Sequence, residues 1–140
     1  MNKFFLGLGI IIIVTAVVLI VFGQPSVSNN QSNADTTWQT NLDSTLQDAK
    51  NTNKPIFIDF YADWCSYCKE LNESTLSDPN VKKKLNRDYV KVDINTDQNP
   101  DLSSRYKIYS LPTIVILNSN GQEIKRYEGY VTSDQLLNWL

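Results

Sequence analysis

Apolar residues along the chain form one long run, followed by short segments whose period keeps changing. Phe4 to Gly23 is 20 residues without a charge, with Thr15 as its one polar side chain. Residues 24–36 are polar, with one branched apolar residue, and predict a flexible tether. Trp38 sits near a possible short first strand. Leu42, Leu46 and Ala49 recur at helical spacing, and Asn51 to Asn53 end that helix. Pro55 to Tyr61 is a short apolar run of strand type, long enough to be buried on both faces. Cys65 to about Ser74 reads as a helix. Asp78 can cap the next one, with Pro79 at its first position and Val81 and Leu85 as its apolar stripe. Tyr89 to Ile94 predicts a strand, Pro100 to Tyr106 a short helix, and Thr113 to Leu117 a strand. Asn118 to Gly121 is a hairpin turn signal, so Glu123 to Tyr127 returns antiparallel. A last helix runs from Ser133 to Leu140, capped by Thr132 or Ser133.

The order is β-α-β-α-(α)-β-α-β-β-α. Strands separated by helices predict parallel pairing, and the Asn-Gly turn adds an antiparallel hairpin. The expected fold class is α/β, a mixed central sheet with helices on both faces.

A helix of 20 residues spans about 30 Å, the hydrocarbon thickness of a bilayer. A signal peptide has a shorter apolar core and a small-residue cleavage site, which Val21-Phe22-Gly23 matches weakly. The length favours an uncleaved transmembrane signal-anchor over residues 1–23, ahead of a cleaved signal or a buried core helix. No cysteine follows the run, which excludes a lipoprotein anchor. Lys3 precedes the run and the first charge after it is Asp35, so the positive-inside tendency puts the rest of the chain outside the cell membrane. The expected organisation is an anchor (1–23), a linker (24–36) and one extracytoplasmic domain (37–140).

Charge then narrows the classes of function. Lys3 is the one charge within residues 1–23, so 13 Lys+Arg against 15 Asp+Glu leave the remainder at a net −3. That balance provides no basic footprint for nucleic acid. The chain has no histidine, which excludes Cys–His dyads, histidine triads and His-ligated metals. Two cysteines cannot by themselves build a four-ligand zinc site or staple a small secreted fold.

Those two cysteines sit where a buried strand ends and a helix begins. Unpaired amides at a helix N-terminus favour negative charge, so a cysteine there is more readily a thiolate and more reactive. Cys68 follows Cys65 by one turn on the same face, within reach of a bond. Cys65 is then the attacking sulfur and Cys68 the resolving one. A small stabilising disulfide, worth about 2 kcal/mol for so short a loop, and a pair of inert buried thiols are the alternatives.

The segment Asp59-Phe-Tyr-Ala-Asp-Trp-Cys-Ser-Tyr-Cys-Lys69 resembles the active-site segment of the thioredoxin superfamily. Ser110-Leu-Pro-Thr-Ile114 resembles that family's cis-proline loop. Asp97-Gln-Asn-Pro100 and the Asn120-Gly121 turn fall where thioredoxins carry similar residues. Together with Thr75-Leu-Ser-Asp-Pro79, the active-site segment is most similar to the C-terminal thioredoxin-like domain of the DsbD branch. The resemblance covers residues 37–140 and implies a thioredoxin fold.

It also implies roles. Asp59 matches the buried acid that helps deprotonate the second cysteine. Its own sequence context agrees, since it is a polar residue among Ile56, Ile58 and Phe60; an exposed strand-edge Asp is the alternative. Pro112 matches the cis-proline that shapes the groove for a partner's extended chain. Trp64, Ser66, Tyr67 and Leu111 would border that groove. Lys91 falls near a lysine that can pair with the buried acid, or is an ordinary solvated strand lysine. The DsbD branch tends to carry an acid four residues after the second cysteine, where this chain has Asn72. The dipeptide Ser66-Tyr67 holds neither proline nor histidine, so no cation there stabilises the reduced form, which argues for a reductant.

The expected function is a membrane-anchored thiol–disulfide oxidoreductase that reduces exported protein disulfides through Cys65 and Cys68. It needs no cofactor. It would act as a monomer, with electrons from a DsbD- or CcdA-like membrane carrier. A disulfide oxidase or isomerase, and a redox-idle thioredoxin-like binding module, are the other readings.

Overall fold

The computed structural model of the chain describes residues 37–140. The apolar run and the polar stretch after it lie outside the described residues. Among those described, no helix is long and apolar enough to cross a membrane.

The first helix, α1, is Leu42–Thr52. The Asn41 side chain accepts the Ser44 amide at 3.0 Å, and Asn53 closes the helix in the left-handed conformation. β1 is Ile56–Tyr61. α2 is short, Ser66–Glu70, and continues as a π-helical segment over Leu71–Leu76. α3 is Pro79–Asp88, with Asp78 accepting from the amides of Asn80 and Val81 as the sequence predicts. β2 is Val90–Asn95, α4 is Pro100–Arg105 and β3 is Thr113–Leu117. β4 is Glu123–Glu128, and α5 is Ser133–Trp139. Thr132, not Ser133, caps α5, in a reciprocal box with Gln135.

The strand order is β2-β1-β3-β4. β1 runs parallel to β2, and β3 pairs antiparallel with both β1 and β4. This corrects the expectation that helix-separated strands pair in parallel. The reason lies in α4. Six residues of helix advance the chain about 9 Å, less than half the length of a six-residue strand. The rest of the connection does not carry the chain back across the sheet, and β3 starts at the end where β1 and β2 finish. The expected first strand near Trp38 shrinks to one bridge, in which Gln39 exchanges backbone hydrogen bonds with the strand segment around Val92.

Alternation along β1 divides the interior in two. Ile56, Ile58 and Phe60 join Leu42, Ala49, Val92 and Leu117 on one face, under α1. Phe57 faces the other way, with Leu71, Leu76, Val81, Leu85, Ile114 and Leu136. The β3–β4 turn needs a glycine. Gly121 has φ +83°, and a Cβ there would lie 2.9 Å from Leu46. β4 forms one rim of the sheet and is largely exposed, with Arg126 paired to Glu123 at 2.8 Å and to Glu128 at 3.7 Å.

The arrangement is a thioredoxin-like α/β fold with a mixed four-stranded sheet between helices. The ends of β1 and β2 and the start of β3 meet at one edge.

Candidate active site

That edge holds the cysteines. β1 ends at Tyr61, and a tight turn, with Cys65 N–H donating to the Ala62 carbonyl at 3.1 Å, leads into α2. Cys65 is the N-cap, and its Sγ accepts the Cys68 amide at 3.1 Å. The same two residues form a disulfide, with Cα atoms 5.3 Å apart. Their exposures are nearly equal, 7% and 5%, so burial does not distinguish them. Position does: the amide donor of the first turn is aimed at Cys65, where it stabilises a thiolate once the bond opens.

The neighbours place the expected groove residues around the disulfide. Trp64 is 72% exposed, and its Nε1 donates to Asp97 Oδ2 at 2.9 Å, tying the ring to the loop after β2. Ser66 and Tyr67 are exposed. Leu111 is half-buried and packs on the cluster of Ala62, Cys65 and Cys68. The Leu111–Pro112 peptide is cis, and the Pro112 carbonyl accepts the Gly129 amide at 2.8 Å. Tyr109, three residues earlier and 87% exposed, is an aromatic that the sequence reading passed over.

Behind the disulfide lies a cavity of about 350 Å³. Asp59, Tyr61, Cys65, Cys68, Asn72 and Asp93 are among its walls. Asp59 is buried, so the expectation of an inward acid holds and the exposed-edge alternative does not. Its cross-strand partner, however, is Asp93 and not a lysine. Lys91 pairs with Phe57, two residues further back. It is 2% exposed, which overturns the solvated alternative. Its ammonium donates to Asn86 Oδ1 and lies over the Trp38 ring.

Burial raises the Asp59 pKa from its ordinary value to about 7, and the negative charge of Asp93 adds to the rise. Burial also pushes the Asp93 carboxyl upward. A carboxyl whose folded pKa stands above its unfolded one holds more protons folded than unfolded between the two values. Stability therefore falls as pH rises from about 4 to about 7, and the cost is complete above that window. Asp59→Asn removes it. The oxidised variant is expected to exceed the parent at pH 8 by on the order of 2–4 kcal/mol, and to match it near pH 4. Urea denaturation at the two pH values measures this, and a gain independent of pH would contradict it.

Chemically, the site offers a disulfide, an amide that favours one of its sulfurs as thiolate, and a buried acid beside the pair. Among the described residues, no cluster of His, Cys, Asp and Glu could hold a metal ion.

A family model described as a thioredoxin-like domain matches residues 42–140. The thiol:disulfide interchange protein DsbD of Haemophilus influenzae (strain PittEE) is 36% identical over 104 residues, covering 71% of this chain and 18% of that protein. DsbD of Neisseria meningitidis serogroup B is 30% identical over 101 residues, covering 70% and 16%. The chain thus spans less than a fifth of these relatives. Among solved structures, the reduced C-terminal domain of Neisseria meningitidis DsbD superposes with TM-score 0.60 at 26% identity, over 70% of this chain and 90% of that one. A Thermus thermophilus thioredoxin reaches 0.67 at 24% identity, over 74% and 84%, which speaks to the fold alone. The chain belongs to the thioredoxin-like family, with a Cys65–Cys68 disulfide at its strand–helix junction and a likeness to the C-terminal domain of DsbD.

Proposed function

We propose that this protein is a membrane-tethered reductase of exported protein disulfides. The observation that carries the reading is the Cys68 amide donating to Cys65 Sγ at the head of α2. In the reduced state that donor holds Cys65 as the thiolate. Cys65 attacks a substrate disulfide, one substrate sulfur leaves, and a mixed disulfide forms. Cys68 then attacks Cys65 Sγ, releases the second substrate sulfur and closes the Cys65–Cys68 bond. Asp59 takes the Cys68 proton as that sulfur becomes the nucleophile. Trp64, Ser66, Tyr67, Leu111 and Pro112 frame the groove for the substrate strand. Electrons return from a dithiol carrier in the membrane, and no organic cofactor is required.

Three features support the direction and the place. Ser66-Tyr67 supplies no cation to stabilise the reduced pair. The apolar run of residues 4–23 has the length of a bilayer-spanning helix. The relatives named above are thiol:disulfide interchange proteins.

The reduction potential tests the direction. The whole chain is equilibrated against defined dithiothreitol or glutathione buffers and read by thiol alkylation. A value near roughly −270 mV is expected of a reductant, and one near roughly −120 mV would make the protein an oxidant. Absence of exchange would leave only a binding module.

A further inference from the structure

The inner wall of the cavity carries two carboxylates. Asp59 and Asp93 are direct partners across the parallel β1–β2 pair. Neighbouring strands lie about 4.8 Å apart, and paired positions project from one face. Each residue has an Oδ1 that is shut off from solvent and has no hydrogen-bond partner among the described residues. Both line the cavity that Cys65 and Cys68 also line. Two carboxylates at such a spacing, one buried and one half-buried with an inner oxygen shut off from solvent, cannot both be charged without a cost. One proton between them removes that cost. The cavity greatly exceeds the roughly 10–15 Å³ that one water needs, so a proton can pass from its floor to Cys68 through solvent.

We propose that Asp93 is a positioning residue of the exchange reaction, acting with Asp59 as one carboxylate pair that carries a single proton to and from the Cys68 sulfur. This rests on the exchange reading of the same site. When an incoming thiolate attacks Cys65 Sγ, the Cys65–Cys68 bond breaks and Cys68 leaves with the electron pair as a thiolate. The shared proton moves from the carboxyl pair to that sulfur, and a mixed disulfide stands on Cys65. In the reverse direction the Cys68 thiol returns its proton to the pair. Its sulfur then attacks Cys65 Sγ, and the partner thiolate departs. Asp93 keeps the proton available at neutral pH, because a lone Asp59 would release it to solvent more readily.

Other ionisable groups border the pair. Tyr61 stands on β1, Asp63 in the turn to α2, and Lys69 on α2, all around the cavity. Lys91 is two residues before Asp93 on the same strand face and is engaged by Asn86 and Trp38. None of them occupies the paired position across from Asp59, which Asp93 holds.

The oxidised whole chain is the right sample, since its disulfide cysteines do not titrate. Side-chain carboxyl carbons are followed by NMR from pH 3 to 9 in the parent, Asp93→Asn and Asp93→Glu. The parent is expected to show two coupled steps at Asp59 and Asp93, the upper one near neutrality. In Asp93→Asn a single Asp59 step remains, displaced downward by about one pH unit or more, and Asp93→Glu restores two steps. In parallel, the rate of reduction by dithiothreitol is taken as a ratio to the parent, which cancels the titration of the reagent. Asp93→Asn is expected to be about tenfold slower at pH 7.5 and unchanged at pH 5, as one unit of displacement requires. A neutral-range step that stays in place, or a ratio flat with pH, overturns the proposal. If Asp93→Asn does not fold, the parent titration decides. Two steps near neutrality and in the acid range support the proposal, and both carboxyls titrating as ordinary ones refute it. A parent that dithiothreitol cannot reduce would instead remove the exchange reading, and the inference with it.

Discussion

Cys65→Ser is expected to abolish disulfide exchange, leaving the rate of the reagents alone. Cys68→Ser is expected to stall with a partner attached. The two substitutions remove the same bond but different steps. Without the Cys65 sulfur there is no thiolate at the point where the Cys68 amide is aimed, and no attack occurs. Without the Cys68 sulfur the first attack proceeds, but nothing one turn away can displace the partner. Non-reducing electrophoresis after incubation with a disulfide-bonded substrate distinguishes them. Adducts should accumulate with Cys68→Ser and be absent with Cys65→Ser. The opposite pattern would exchange the two roles. Full activity in either variant would remove the mechanism.

Phe57→Ala is expected to cost about 3–5 kcal/mol. Phe57 is fully buried, with its ring edge-on to Trp38 at 5.7 Å and to Tyr89 at 6.2 Å between centroids. It joins the sheet to the helices of the active-site face, so the void cannot be filled from solvent or by a loop. Each kcal/mol corresponds to about 4–8 °C in Tm for a domain of this size. A fall of at least about 12 °C follows, measured on the oxidised protein. A loss under about 1 kcal/mol would mean that the neighbouring rings collapse into the space.

Much of the site was legible because its signals are local. Cys65 and Cys68 stand out by spacing at a strand–helix junction, and Asp59 as a polar residue within an apolar strand. Asp93 carries the same anomaly between Val92 and Ile94, yet its meaning depends on register. Which residue of β2 lies across from Asp59 is fixed by how two distant segments slide together. A shift of two residues would have kept every side chain on its face and placed Lys91 there instead. The antiparallel β3 was missed for a related reason. Chain direction depends on the end of the sheet at which a connection re-enters it, and the pattern of Pro100 to Tyr106, read as a short helix, carries no mark of that end. The helix through Ser74 was recognised, but its wider π-helical turns over Leu71–Leu76 leave no mark in the hydrophobic spacing. Trp64 was placed beside Cys65 correctly, whereas its hydrogen bond to Asp97 spans 33 residues and needed the fold.

The rim of the sheet has a consequence for how copies of this chain meet one another. Where copies of a protein meet at high local concentration, an open strand is a template on which a neighbour can polymerise. Here the β2 rim is partly occupied by Gln39. The β4 rim carries both signs of charge, in Glu123, Lys125, Arg126 and Glu128. A second copy adding there in fibril fashion would have to break the Arg126 ion pairs and desolvate charged groups along the whole strand. The charges at this edge thus act as gatekeepers against strand-by-strand self-addition, on a strand that contributes nothing to the walls of the cavity beside Cys65 and Cys68.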